Sequence, residues 1–344
     1  MYKIAVSMLP RLFERIAAQY QLYLPVKDSD VTNFAAWDAD CTVDFDVLKT
    51  ANTPKHLFLP QVEELYTASI TGSEISVQSA SLEQSPFVIF GVRACDATSL
   101  EILDIVYLDE PVDKFYEARR AAGVIVALAC SNPRPACFCN AFGIDAASPN
   151  ADVATWLIDD DLFWSPLTAK GTELTDCIID LLETTDDRDV SLQQAAIHKA
   201  IAELPYSSMS IRRDSADDLL DVFNSSLWDS VSAACISCSS CTFICPTCQC
   251  YDITDFDTGS CIHKFRCWDS CMNSDFTQMA HGNPRKTRKE RFRQRFMHKL
   301  VYHPDNNNGQ YSCVGCGRCV NQCPAGLHII KVIKEMEVCG HVQS

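Results

Sequence analysis

The stretch Cys235-Ile-Ser-Cys238-Ser-Ser-Cys241-Thr-Phe-Ile-Cys245-Pro246, together with Cys313-Val-Gly-Cys316-Gly-Arg-Cys319-Val-Asn-Gln-Cys323-Pro324, decides how this chain is read. Each run is C-x2-C-x2-C-x3-C-P. In that spacing a tight loop turns three thiolates toward one iron–sulfur cube, and the fourth, ahead of proline, reaches a neighbouring cube. Cys235, Cys238, Cys241 and Cys323 are therefore expected to hold one [4Fe-4S] cluster, and Cys313, Cys316, Cys319 and Cys245 a second. A zinc ribbon would take two ligands from each knuckle, not three plus a fourth before proline.

The rest of the composition agrees with metal ligation. The chain has 344 residues, 47% of them hydrophobic, and 20 cysteines. No signal peptide is expected, because Lys3, Arg11, Glu14 and Arg15 interrupt the first twenty residues. The longest apolar run, Ala121 to Cys130, is about half the length that spans a bilayer. A cytoplasmic location follows as the expectation, and there thiols stay reduced, which excludes a disulfide scaffold. The net charge of −16 is uneven: residues 1–230 carry 36 acids and 16 bases, whereas residues 231–344 carry 9 and 13. Four thiolates on a 2+ cube make a net charge of about −2, so the basic excess reads as compensation for buried cluster charge. An acidic chain of this kind argues against a nucleic-acid surface.

The composition shift near Ser230 divides the chain into an α/β domain at 1–172, a helical connector at 173–232 and a dicluster ferredoxin-like domain at 233–344. In the first of these, Leu9, Leu12, Phe13, Ile16 and Ala17 recur at helical spacing within Val6–Tyr20. Leu22–Val26, Pro86–Gly91 and Val124–Ala129 are apolar runs of strand length. A helix with Leu100 and Leu103 on its apolar face follows the second, with Asp96 as its expected N-cap, and Phe115–Ala122 continues as helix. Strand–helix–helix–strand implies parallel strands, whose ends deliver Cys95 and Cys130 to the side where such sheets place their sites. Cys137 and Cys139 follow in a proline-rich loop, two apart and so facing the same way if extended. Cys95, Cys130, Cys137 and Cys139 are therefore a candidate third [4Fe-4S] site, although zinc or plain core cysteines would use the same residues. Helices are expected near 173–183, 191–204 and 214–232.

Between the two cysteine runs lies an insertion, 246–312, far longer than two clusters need. It holds Cys248, Cys250, Cys261, Cys267 and Cys271, to which spacing assigns no role, and a basic stretch from Arg285 to Lys299. That stretch is either a solvated helix face, a dock for an acidic partner or a screen for the clusters. No G-x-G-x-x-G or Walker pattern occurs: Gly315 and Gly317 belong to a cluster loop. No His-x-x-x-His pair or Ser/His/Asp set is evident, so no catalytic residue is expected. Clusters without a catalytic cofactor imply electron transfer between other subunits.

Gly91-Val-Arg-Ala-Cys-Asp96, Cys137-Phe-Cys139, Cys-Pro-Thr-Cys-Gln-Cys-Tyr-Asp at 245–252, Arg266-Cys-Trp-Asp-Ser-Cys271, Gly282-Asn-Pro-Arg285, His298-Lys299 and the run from Cys313 to Cys319 occur in a distinctive order. In that order they resemble the dicluster iron–sulfur subunits of anaerobic sulfite reductase and of cytoplasmic sulfhydrogenase, in the latter the beta subunit. The resemblance implies a multisubunit, anaerobic oxidoreductase in which this chain is a non-catalytic relay. Electrons would pass from an NAD(P)H-oxidising flavoprotein subunit to a catalytic sirohaem sulfite reductase subunit, and neither nucleic acid nor membrane is a partner. The alternative destinations are a nickel–iron sulfhydrogenase or a heterodisulfide-reductase-like complex. A rival of another class makes the α/β domain itself an enzyme at Cys95, Cys130 and Cys139.

Overall fold

A computed structural model describes residues 1–211 and 219–341. Strand β1 (Tyr2–Ala5) leads through one 3-10 turn into α1 (Leu9–Ala17), whose buried Leu9, Leu12, Phe13 and Ile16 are the apolar stripe of the sequence. The strands β2 (Gln21–Asp28) and β3 (Val31–Ala36) form a hairpin, and the one-turn helix α2 (Lys55–Phe58) follows. A second hairpin, β4 (Val62–Thr71) and β5 (Glu74–Ser79), stands outside this layer. Next come β6 (Phe87–Val92), α3 (Ala94–Tyr107), α4 (Lys114–Ala122), β7 (Gly123–Leu128), β8 (Val153–Ile158) and β9 (Asp161–Pro166). With the short β10 (Glu183–Thr184) they complete a mixed sheet of order β10-β1-β9-β8-β7-β6-β2-β3, in which β2, β6, β7 and β8 run parallel.

All six residues of β6 and of β7 are buried, as expected for parallel strands covered on both faces. The pleat sorts their side chains. Val88 and Phe90 pack with Phe13, Ile16 and Trp164 on the α1 side, while Phe87 and Ile89 pack with Leu100, Leu103 and Tyr116 of α3 and α4 on the other. Asp96 does not cap α3. The extended residue before the helix is Arg93, and Asp96 lies in the first turn, buried, with its carboxylate turned to an arginine far along the chain.

Helices α5 (Ala169–Asp176) and α6 (Arg188–Ala202) follow, then α7 (Leu219–Asn224) and α8 (Leu227–Ser232). The expected helix at 214–232 is thus two short ones, its first residues lying outside the described part of the chain. The one-turn α9 (Ser240–Phe243) sits within the first cysteine run. The insertion then forms a hairpin, β11 (Tyr251–Asp257) and β12 (Cys261–Trp268), and β12 pairs with β4 to give a separate sheet of order β11-β12-β4-β5. This sheet joins residues nearly 200 positions apart, so the insertion is bonded to the N-terminal layer. Buried Arg266 of β12 clinches the join: it pairs with Glu63 of β4 and with Asp113, which caps α4.

Helix α10 (Arg288–Met297) begins with a capping box, Thr287 to Glu290, a device contributing about 1 kcal/mol. After α11 (His303–Asn306), α12 (Arg318–Gln322) lies in the second cysteine run, and α13 (Ile329–Val338) closes the described chain. Trp228, Val231, Phe292, Phe296, Ile329 and Ile333 pack α8, α10 and α13 into one core under the cysteine runs. Among the described residues no helix is long and apolar enough to cross a membrane.

Candidate functional site

Three hollows are each lined by at least four of the twelve cysteines singled out by sequence. Cys235, Cys238, Cys241 and Cys323 surround the first, where the space between the lining atoms, counted out into open solvent, is about 430 Å³. Cys245, Cys313, Cys316 and Cys319 surround the second, of about 330 Å³. The cysteine before each proline therefore faces the hollow belonging to the other run. Cys95, Cys130, Cys137 and Cys139 surround the third, of about 350 Å³. No carboxylate or imidazole lines any of them. Among the described residues no three Cys, His, Asp or Glu side chains stand close enough together to hold a single metal ion. Sulfur-only donors spread round a hollow suit a cluster, in which each thiolate binds a different iron.

The cysteine-run loops owe their shape to left-handed residues. Ser237 and Ser239 have φ of 54° and 60°, and Gly315 and Gly317 have φ of 58° and 75°. The two glycines also admit a close neighbour: a Cβ on Gly315 would stand 2.3 Å from the Phe138 carbonyl oxygen, and one on Gly317 2.1 Å from that of Ala136. The Phe138 amide donates to the Gly315 carbonyl at 2.9 Å. The loop bearing Cys137 and Cys139 is thus laid directly on the second cysteine run, and Cys316 lines both the second hollow and the third.

Buried cations mark the walls. Arg295 lines both the first hollow and the second; its Nη2 donates to the Cys241 carbonyl at 2.9 Å, while its Nε and Nη1 have no protein partner. Orphaned N–H groups on a guanidinium 2% exposed call for an anionic guest, as a thiolate-ligated cluster is. Lys299, also lining the second hollow, donates to Thr247 Oγ1 and the Ser312 carbonyl, both at 2.8 Å. Burial works against its charge, but the neighbouring sulfurs of Cys245, Cys248 and Cys313 outweigh it and raise its pKa. At the third hollow, Lys49 Nζ lies 3.2 Å from Cys137 Sγ, and Arg93 holds the carbonyls of Phe45, Val47 and Ala129. Burial pushes the thiol of Cys139 up to about 12 and that of Cys316 to about 11, so a positive centre must enter to ionise them.

Arg318 and Asp96 link the two halves. The fork is bidentate at 2.6 and 2.8 Å, and both side chains are 3% exposed. Arg318 lines the second hollow and Asp96 adjoins Cys95 of the third, so the pair fixes their spacing. Sequence reasoning gave no role to Arg318, Lys49 or Arg93, because nothing in their local spacing marks contacts made with residues far away in the chain. The basic stretch divides in two. Arg295 and Lys299 face the hollows, whereas Arg288, Lys289 and Arg293 bind Ala233, Asp229 and Phe223 of the connector side.

The other cysteines lie elsewhere. Cys261 and Cys267 are half-buried on β12, Cys41 is half-buried, and Cys339 is exposed. Cys177 Sγ donates to the Glu173 carbonyl at 3.2 Å.

Comparison with known proteins agrees with these sites. The 4Fe-4S dicluster domain family matches residues 234–327, which contain both cysteine runs. Sulfhydrogenase 2 subunit beta of Pyrococcus furiosus is 29% identical over 337 residues, covering 97% of this chain and 97% of its own length. No solved structure matches. Residues 234–327 thus match a 4Fe-4S dicluster domain and dock on an α/β layer, and both comparisons support an iron–sulfur electron relay.

Proposed function

We propose that this chain is the electron-relay subunit of a sulfhydrogenase-like complex and holds three [4Fe-4S] clusters in a row. The observation that carries the proposal is the sequence of shared walls. Arg295 belongs to the first and second hollows, and Cys316 to the second and third. Bound clusters would supply one-electron uptake and release. The first hollow would be held by Cys235, Cys238, Cys241 and Cys323, the second by Cys245, Cys313, Cys316 and Cys319, and the third by Cys95, Cys130, Cys137 and Cys139. The protein's part is to place them, bury them and offset their charge with Arg295, Lys299 and Lys49. Cys238 is exposed while the third site is buried on all four sulfurs, so the two ends of the row differ in access to a partner.

The destination changes relative to the sequence expectation. The relative matches along almost the whole chain and is named as a sulfhydrogenase beta subunit, which favours the hydrogenase-type acceptor over a sirohaem sulfite reductase. A flavoprotein subunit that oxidises NAD(P)H remains the donor implied by the resemblance. On this division the α/β domain, the helical connector and the dicluster domain act as one relay. Purification of the chain with its native partners under anaerobic conditions tests the proposal. Nickel and flavin in the complex are the expected result, and a sirohaem absorption band would overturn the assignment of destination.

A further inference from the structure

The cysteine that crosses to the second hollow is followed by Pro246 and then by Thr247, whose role spacing does not set. Thr247 is not part of the wall. It stands behind Cys245, 1% exposed, with its Oγ1 3.3 Å from Cys245 Sγ. The same oxygen lies 2.9 Å from the carbonyl of buried Ser312, which directly precedes Cys313, another cysteine of that hollow. Buried Lys299 completes a triangle, its Nζ donating to Thr247 Oγ1 and to the Ser312 carbonyl, both at 2.8 Å.

The direction of each hydrogen bond follows from what each group can do. An ammonium only donates, so Thr247 Oγ1 accepts from Lys299. The hydroxyl keeps one proton of its own and has two acceptors in reach: the Ser312 carbonyl, which Lys299 already serves, and Cys245 Sγ. A thiolate bound to iron has no proton to give, so in that state the hydroxyl is the donor across the contact with Cys245. The charge of Lys299 polarises the O–H and strengthens it as a donor. The first hollow is served differently: the backbone amides of Ser237 and Leu327 donate to Cys235 Sγ at 3.4 Å and to Cys323 Sγ at 3.2 Å. The bond at Cys245 hangs instead on one side chain.

We propose that Thr247 is a positioning residue of the relay: its hydroxyl passes the field of Lys299 onto Cys245 Sγ and so holds the second centre at a higher reduction potential than its sulfur ligands alone would give. The inference rests on the reading that Cys245 ligates a [4Fe-4S] cluster in the second hollow. Uptake of one electron forms and breaks no bond, and it increases the negative charge on the ligating sulfurs. A hydrogen bond to such a sulfur is therefore stronger in the reduced state and favours reduction. The second hollow shares a wall with each of the other two, so a potential set at Cys245 bears on flow in both directions along the row.

A redox titration of the anaerobically prepared holoprotein, followed by electron paramagnetic resonance, tests the role of Thr247. The second centre is identified as the signal that Cys319→Ser abolishes. In Thr247→Val its ratio of reduced to oxidised form, read at the wild-type midpoint, should fall about fivefold, the weight of one ordinary hydrogen bond. That is a displacement of roughly 40 mV to lower potential, at about 59 mV per tenfold for one electron. Thr247→Ser keeps the hydroxyl and should keep the wild-type midpoint, and the first centre should not move in either variant. Electron–nuclear double resonance of the reduced wild type, in water and in deuterium oxide, needs no variant to fold: the second centre should show a coupled proton that exchanges. An unmoved midpoint in Thr247→Val would overturn the proposal, as would an equal shift in Thr247→Ser or the lack of an exchangeable coupling in the wild type. Absence of iron from the wild type would instead overturn the cluster reading itself, and this inference with it.

Discussion

The dicluster runs and the N-terminal hollow each present sets of four sulfurs, by different routes. In residues 235–245 and 313–323 three cysteines of each set are neighbours in sequence, aimed by a loop that left-handed Ser237, Ser239, Gly315 and Gly317 turn, and the fourth comes from the other run. In the N-terminal layer the ligands come from the ends of two parallel strands and one proline-rich loop, so the sheet must form before the sulfurs meet. The first kind of site is local in three of its four cysteines. The second is only as accurate as the packing of β6, β7 and the loop at 137–139 against the second cysteine run.

That contrast can be broken at several points, and the largest effect belongs to the crossed ligands. Cys323→Ser should remove or alter the centre held by Cys235, Cys238 and Cys241, costing up to about four irons. Electron paramagnetic resonance of the reduced variant should show that one signal changed. A change confined to the signal of the Cys313, Cys316 and Cys319 centre would refute the crossing.

Next comes the join between the two kinds of site. Arg318→Met leaves Asp96 charged and buried without its fork, a change that costs about 3–5 kcal/mol. The melting temperature of the holoprotein should fall by several degrees, and the double change Arg318→Met with Asp96→Leu should recover most of the loss. Equal melting temperatures for wild type and Arg318→Met would show that the pair does not hold the halves together. A subtler change is Lys49→Gln, which removes a cation 3.2 Å from Cys137 Sγ. The third centre should become harder to reduce by on the order of 100 mV at an effective dielectric of about 20, with a smaller shift at the second, which shares Cys316, and the first unmoved. A potentiometric titration showing all three centres shifted alike would instead indicate a global change.

The smallest effect is expected on the outer side of α10. Lys289 and Asp229 form a half-exposed pair, worth about 0–1 kcal/mol and screened by salt. Lys289→Gln should leave stability and iron content near wild type, whereas Arg295→Gln, which removes a charge from the wall of two hollows, should lower cluster content. Similar behaviour in the two variants would mean that α10 has no inner and outer side.

Much of this was legible because the chemistry is tied to spacing. The two cysteine runs, the crossing of the cysteine before each proline to the other run's hollow, the buried strands at 86–91 and 124–129 and the gathering of Cys95, Cys130, Cys137 and Cys139 all follow from short-range pattern and strand direction. What spacing could not show was long-range. The alternation of Val62–Ser79 is two-sided and largely exposed, so no apolar stripe announced it, and its partner strand lies in the insertion. Asp96 reads locally as a helix cap because Asp is a common one, yet its carboxylate is taken by Arg318, which approaches from 222 residues away. The basic stretch reads as a single run in sequence, but helical periodicity splits it, sending Arg295 and Lys299 inward and Lys289 outward.

Whether the fold-built hollow is filled as the spacing-built ones are is the central question, and iron analysis of anaerobically purified protein tests it most directly. About twelve irons and as many acid-labile sulfides per chain are predicted, falling by about four in Cys139→Ser with the two dicluster signals intact. About eight irons in the wild type, unchanged in Cys139→Ser, would contradict a third cluster.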